Sequence, residues 1–154
     1  DRPSIGDSPA KARTGDFTSP EEDIEISQIV GLEAAEQDAV DIIESFGDPD
    51  TPTCFAEVYG DTFAESADLG EGVEVGGEIT VAAVGVAPAG DDAAALRVTV
   101  PLASDGFEVD VFADAVIVRV GRSVSFMFFA SQGNPVDAGT IDDYAAAAAG
   151  RLPT

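Results

Sequence analysis

Apolar and polar residues alternate from Leu96 to Ser131 in a pattern that predicts three consecutive antiparallel strands. The stretch reads LRVTVPLASDGFEVDVFADAVIVRVGRSVSFMFFAS. Asp105-Gly106 and Gly121-Arg122 separate its apolar runs. Both pairs favour two-residue hairpin turns, in which glycine supplies a positive φ.

The two turns set the register of the predicted strands independently. The first turn places Leu102 opposite Val109, and the second places Ile117 opposite Phe126. Because side chains alternate with a period of two, both registers put the same apolar residues on one face of the sheet. These residues are Leu96, Val98, Val100, Leu102, Val109, Val111, Ile117, Val124, Phe126 and Phe128.

The opposite face changes character along its length. Near the first turn it is acidic, and Arg97 is expected to pair across the strands with Asp114. Near the second turn it is apolar. An antiparallel sheet usually exposes one face to water, so this apolar end needs a cover: a helix, a partner protein or a ligand. We call it the second-face patch; it comprises Phe112, Val116, Val118, Met127 and Phe129.

Segments on either side of the three strands complete an α+β fold. EDIEISQIVGL and GEITVAAVGV predict two further strands. Helical spacing predicts a helix over 32–46, a second helix that begins at Thr51-Pro52, and a terminal helix. The order is β-α-α-β-β-β-β-α: an antiparallel sheet of about five strands with helices packed on it. The inner side of the terminal helix is predicted to carry Ile141, Tyr144, Ala145, Ala148 and Leu152.

The first 20 residues contain three Pro, two Gly and three of the seven basic residues. This composition predicts a flexible leader or tether over 1–20, followed by a single α+β domain over 21–154. The chain begins at Asp1 rather than at Met. We therefore expect a processed or trimmed protein whose export signal has been removed.

The charge of the chain excludes some classes of partner. Its 30 acidic and seven basic residues give a formal net charge of −23. Nucleic acids and anionic membranes need clustered cations, so neither is expected as a partner. Solubility in high salt and cation binding both remain explanations of the acidity. No apolar run is long enough for a membrane span, and Cys54, the single cysteine, is predicted to be buried.

Four stretches of the chain together resemble a known class of domain. They are CFAE from Cys54, then ALRVTVPL, then VDVFADAVIVRVGRSVSFMFF, and an Ala-rich helix that ends in Arg151-Leu152. Over about residues 24–152 the chain resembles the secreted or lipid-anchored sensor-like domains of actinobacteria, including extracellular sensor domains of receptor kinases. The resemblance implies an α+β module outside the membrane that binds a ligand or partner rather than catalysing a reaction.

The acidic end of the second face is the candidate metal site. Alternate residues on a strand lie about 6.8 Å apart, so Glu108, Asp110 and Asp114 could hold a calcium ion between them. The alternative is a solvated face with an Arg97–Asp114 pair. The same carboxylates could also serve as an acid–base pair in a small hydrolase. The chain contains no His, which removes the usual general base and a Ser-His-Asp triad.

These patterns favour a non-enzymatic, extracytoplasmic binding or sensor-like module without a cofactor. Its partner is expected to be a small apolar ligand on the second-face patch, or a protein of the cell envelope. An acidic-residue hydrolase and a calcium-binding envelope protein are the alternatives. An exposed sheet edge would also allow a homodimer to form.

Overall fold

A computed structural model of the chain describes residues 8–14, 17–19, 24–56, 72–104 and 106–153. These residues form an eight-stranded antiparallel sheet that curls into a half-barrel, with helices on both faces. The α+β class is confirmed. The strands are β1 (Ala10–Arg13), β2 (Phe17–Ser19), β3 (Ile24–Leu32), β4 (Glu74–Val75), β5 (Thr80–Val84), β6 (Asp92–Ser104), β7 (Phe107–Val120) and β8 (Ser123–Gln132).

Two helices pack on this sheet, α1 (Glu36–Gly47) and α2 (Ala138–Ala149), and residues 51–56 are also helical. The strands follow the order β1-β3-β8-β7-β6-β4, with β2 also paired to β3 and β5 also paired to β6. Each edge of the sheet therefore consists of two short strands. None of the helices in the described residues is long and apolar enough to cross a membrane.

Both hairpin registers that the turns predict are confirmed. Leu102 lies opposite Val109 between β6 and β7, and Ile117 lies opposite Phe126 between β7 and β8. Gly121 has a φ of +57°, as its turn requires. The two-residue period thus places the apolar and acidic positions on the faces that the sequence predicts. Asp105, the first residue of the predicted first turn, lies outside the described residues.

The prediction of about five strands was wrong, because β1, β2 and β4 were missed. All four side chains of β1 are exposed, while β2 and β4 have only three and two residues. Strands this short offer too few alternate positions to be recognised from the sequence, so backbone pairing alone defines them.

The division into a leader over 1–20 and a domain over 21–154 stays a prediction. Within the leader stretch, residues 10–13 and 17–19 pair with β3. The prediction of a buried Cys54 was wrong, because its side chain is exposed.

Each helix closes one face of the sheet. On the first face, Ile43 and Phe46 of α1 pack in a core with Ile117, and the Phe46 ring meets Phe126 edge-on at 5.7 Å between centroids. On the other face, α2 packs over the second-face patch. A helix of the chain is therefore what covers that patch. The buried α2 residues are Ile141, Ala145 and Ala148.

Candidate ligand-binding cleft

A cleft of about 460 Å³ lies between α2 and the sheet edge that β1 and β2 form. The sheet provides its floor, α2 and the residues after it provide one wall, and the β1–β2 edge provides the other. The described residues that line it are Thr14, Phe17, Ile26, Gln28, Val30, Met127, Tyr144, Ala147, Ala148, Arg151 and Leu152.

The floor of the cleft follows from strand periodicity. Ile26, Gln28 and Val30 alternate along β3, so they share one face of the sheet. Met127 of β8 lies directly opposite Gln28 and extends this floor toward the core. The cleft is thus continuous with the face that carries the second-face patch.

The helical wall follows from helix periodicity. Tyr144, Ala147 and Arg151 are spaced by three and four residues, which places them on one side of the helix and its C-terminal end. At its start, α2 is held by the Asp137 carboxylate, which accepts a hydrogen bond from Gly139 N at 2.8 Å. Beyond its end, the Ser123 hydroxyl donates to the carbonyl of Pro153 at 2.6 Å. Both ends of this wall are therefore fixed.

Two exposed aromatic side chains distinguish this cleft. Phe17 and Tyr144 are 62% and 43% exposed, and both line it from opposite walls. The Tyr144 ring also contacts buried Phe129 edge-on, with 5.5 Å between centroids. The sequence predicts Tyr144 on the inner side of the helix, but it lies at the flank, where it borders the cleft.

The polar side chains in and beside the floor form hydrogen bonds within the protein. The Thr14 hydroxyl accepts from Gln28 N at 3.1 Å and lies 3.3 Å from Gln28 O, to which it donates. The Gln28 side-chain amide donates to the Ser125 hydroxyl at 2.7 Å. The floor therefore presents mainly its apolar groups to an occupant.

The second-face patch predicted as a ligand site lies mostly beneath α2. Val116, Val118 and Phe129 are completely buried, and they belong to the core that includes Ile141 of α2. Phe112 lies outside this core, and the guanidinium of Arg97 is 6.0 Å from its ring centroid. Of the five patch residues, Met127 alone lines the cleft within the described part of the chain.

The predicted Arg97–Asp114 pair is confirmed, and both carboxylate oxygens of Asp114 take part in it. Arg97 Nε and Nη2 donate to the two carboxylate oxygens of Asp114 at 2.6 and 3.0 Å. Asp114 is completely buried, whereas Glu108 and Asp110 are exposed. No group of three or more Asp, Glu, Cys or His side chains among the described residues could hold a metal ion. The calcium site and the acid–base pair stay predictions, with Asp114 already bound to Arg97.

A second, smaller cleft of about 340 Å³ lies where the end of α1 meets β5 and β6. Its lining includes Phe46, Pro52, Ala83 and Ala94. Phe46 is buried, and no exposed large aromatic side chain lines this cleft within the described residues.

Sequence reasoning missed most of the first cleft. Phe17 stands in the predicted leader, and Ala147 and Arg151 resemble ordinary solvent-facing helix residues. The one available signal was an aromatic residue, Phe17, in an otherwise polar segment. No family model matches the chain, and no curated protein and no solved structure matches it either.

Proposed function

We propose that this chain is a non-enzymatic binding or sensor-like module that holds a small apolar ligand in the cleft between α2 and the β1–β2 edge. One observation carries the proposal: Phe17 and Tyr144, two exposed aromatic side chains, line opposite walls of one concave, mainly apolar cleft. No catalytic step is part of the proposal.

The physical basis is the burial of apolar surface. Water contact with exposed rings is unfavourable by about 25 cal/mol for each Å² that a ligand could cover. A volume of about 460 Å³ falls within the range of roughly 300–1,000 Å³ that is usual for small-molecule sites. The engaged polar groups of the floor reduce the cost of desolvation when an apolar molecule enters.

An extracytoplasmic location is the second part of the proposal. It rests on the resemblance of residues 24–152 to secreted and lipid-anchored sensor-like domains. In that setting a protein of the cell envelope could deliver the ligand or respond to its binding.

The proposal is tested by filling the cleft with a side chain. Ala147 lines the cleft, and its neighbour Ala146 is also exposed on α2 but is not part of the lining. We expect Ala147→Trp to weaken binding of the neutral apolar dye Nile red at least about tenfold, which corresponds to about 1.4 kcal/mol. The dye is excited in visible light, so the new indole does not interfere with the titration.

Ala146→Trp is the matched control, since it carries the same helix-propensity cost at an exposed position. We expect it to keep the affinity of the unmodified protein. Equal losses in the two variants, or no saturable dye binding in the unmodified protein, would contradict binding in this cleft.

A further inference from the structure

We infer that the ligand of this cleft is a single-chain, long-chain carboxylate whose head group binds Arg151; the inference rests on the proposed apolar binding function. The tail would lie on the floor formed by β3 and Met127, between the Phe17 and Tyr144 rings. The carboxylate would lie at the C-terminal end of α2, where Arg151 reaches the cleft.

Arg151 differs from the other arginines whose contacts the structure gives. Arg97 and Arg119 each bind a carboxylate, and Arg122 lies 3.4 Å from the carbonyl oxygen of Glu33, to which it donates. Arg151 is exposed, and its side chain makes no hydrogen bond or ion pair with the described residues. Its guanidinium therefore keeps its donors available.

The distribution of charge around Arg151 also favours an anionic head group. The chain has 30 acidic residues, yet no described residue that lines the cleft is acidic, and Arg151 is the charged member of the lining. A protein with a net charge of −23 repels anions from most of its surface. A cation that makes no ion pair with the described residues, at the border of an apolar cleft, is complementary to an anionic head joined to an apolar tail.

The chemistry of arginine favours a carboxylate. Its planar guanidinium donates two parallel hydrogen bonds that match the two oxygens of a carboxylate. Gln28 and Thr14 do not compete for this role, because they are bonded within the protein. Tyr144 adds a neutral hydroxyl, which does not by itself distinguish an acid from an alcohol.

The cleft has room for one acyl chain rather than for two chains side by side. Its lining is a single row of alternate β3 side chains with Met127 beside it, bounded by α2 on one side and by the edge on the other. We therefore commit to a free fatty acid rather than a two-chain phospholipid.

The position of Arg151 also has a simpler explanation, and the test must distinguish that explanation from carboxylate binding. A cation just beyond the C-terminus of a helix is stabilised by the negative end of the helix dipole. That role would affect the stability of α2, but it would give the cleft no preference between an acid and an alcohol of the same chain length.

The experiment compares palmitate with cetyl alcohol as competitors of Nile red, at low ionic strength and at a pH well above the ordinary pKa of a carboxyl group. We expect the unmodified protein to prefer palmitate by about fivefold, the size of a partly exposed ion pair. Arg151→Gln should abolish or invert this preference, since the remaining charges repel the anion. Arg122→Gln changes the net charge equally but lies outside the cleft lining, so it should keep the preference.

Equal affinities for the acid and the alcohol in the unmodified protein would overturn the inference and leave the proposed function standing. So would a preference that survives in Arg151→Gln, or tighter binding of phosphatidylglycerol than of palmitate. Failure of the dye and both competitors to bind at all would overturn the proposed function, and the inference with it.

Discussion

At the scale of single residues, the pair of half-buried Arg97 with buried Asp114 connects the sheet to the helix that forms one wall of the cleft. Both oxygens of Asp114 are bonded to Arg97, and Arg97 Nη2 also donates to the carbonyl of Val136 at 3.1 Å. Val136 comes immediately before Asp137, the N-cap of α2. The pair therefore fixes where α2 begins as well as satisfying a buried charge.

We expect Arg97→Met to lower the free energy of unfolding by about 3–5 kcal/mol, because it leaves the Asp114 carboxylate buried without its cation. The double variant Arg97→Met with Asp114→Leu should recover much of this loss, since no charge then remains buried. Urea unfolding followed by circular dichroism measures both values. Arg122→Met, at an exposed position, is the control and should cost less than about 1 kcal/mol.

Additive losses in the double variant would contradict the role of the ion pair. If the two substitutions simply added, the ion pair would have no coupling energy, and the residues would stabilise the fold only through packing.

At the scale of elements, the hairpins were predictable because their turns and their apolar periodicity are local. Gly121 with Arg122 fixes the pairing of β7 and β8, and one slip in register would move Ile117 from the core to the other face. The second-face patch was predictable as an apolar surface for the same reason. What covers it was not predictable, since the sequence left a helix, a partner and a ligand open.

The cleft could not be predicted because its walls are distant in sequence. Phe17 reaches it only because β2 pairs with β3, and that pairing rests on backbone hydrogen bonds that leave no pattern in the sequence. Arg151 gave no signal either, because a cation after a helix is common. Among the predicted patch residues, Met127 is the one that lines the cleft within the described part of the chain, because it lies on the correct face and opposite Gln28 of β3.

The N-cap of α2 provides a prediction about this wall. Asp137 accepts hydrogen bonds from Gly139 N and Thr140 N, so Asp137→Ala should destabilise the start of α2 by about 1 kcal/mol. We expect faster hydrogen exchange in residues 138–149 and weaker Nile red binding by about twofold to fivefold.

Asp143→Ala is the control for that experiment, because Asp143 is exposed on α2 and lies beyond its first turn. It removes the same charge without removing the cap. Similar exchange in the two variants would show that the cap does not set the position of the helix.

At the scale of the whole molecule, the apolar cleft is an exception on a strongly anionic protein. A net charge of −23 keeps copies apart and slows the approach of anions, and salt screens both effects. Hydration in high salt and cation binding both remain predictions for the acidity. A homodimer also remains a prediction, and the short strands at both edges limit how far an added strand could pair.

The cleft beside α2 and the smaller cleft beside α1 differ in their exposed aromatic rings. This difference makes the proposed ligand-binding site testable in one measurement. One cleft carries exposed aromatic rings on both walls, whereas the smaller cleft beside α1 carries none within the described residues. A neutral apolar ligand that binds through ring burial should therefore discriminate between two faces of the same sheet.

That measurement is photoaffinity labelling with an uncharged alkyl diazirine, followed by peptide mass spectrometry, with and without excess cetyl alcohol as competitor. We expect competitor-sensitive labels in peptides from the first cleft, covering 14–30 and 144–152. Labels that concentrate on 46–52 and 83–96 around the second cleft, or that the competitor does not displace, would contradict the proposed binding site.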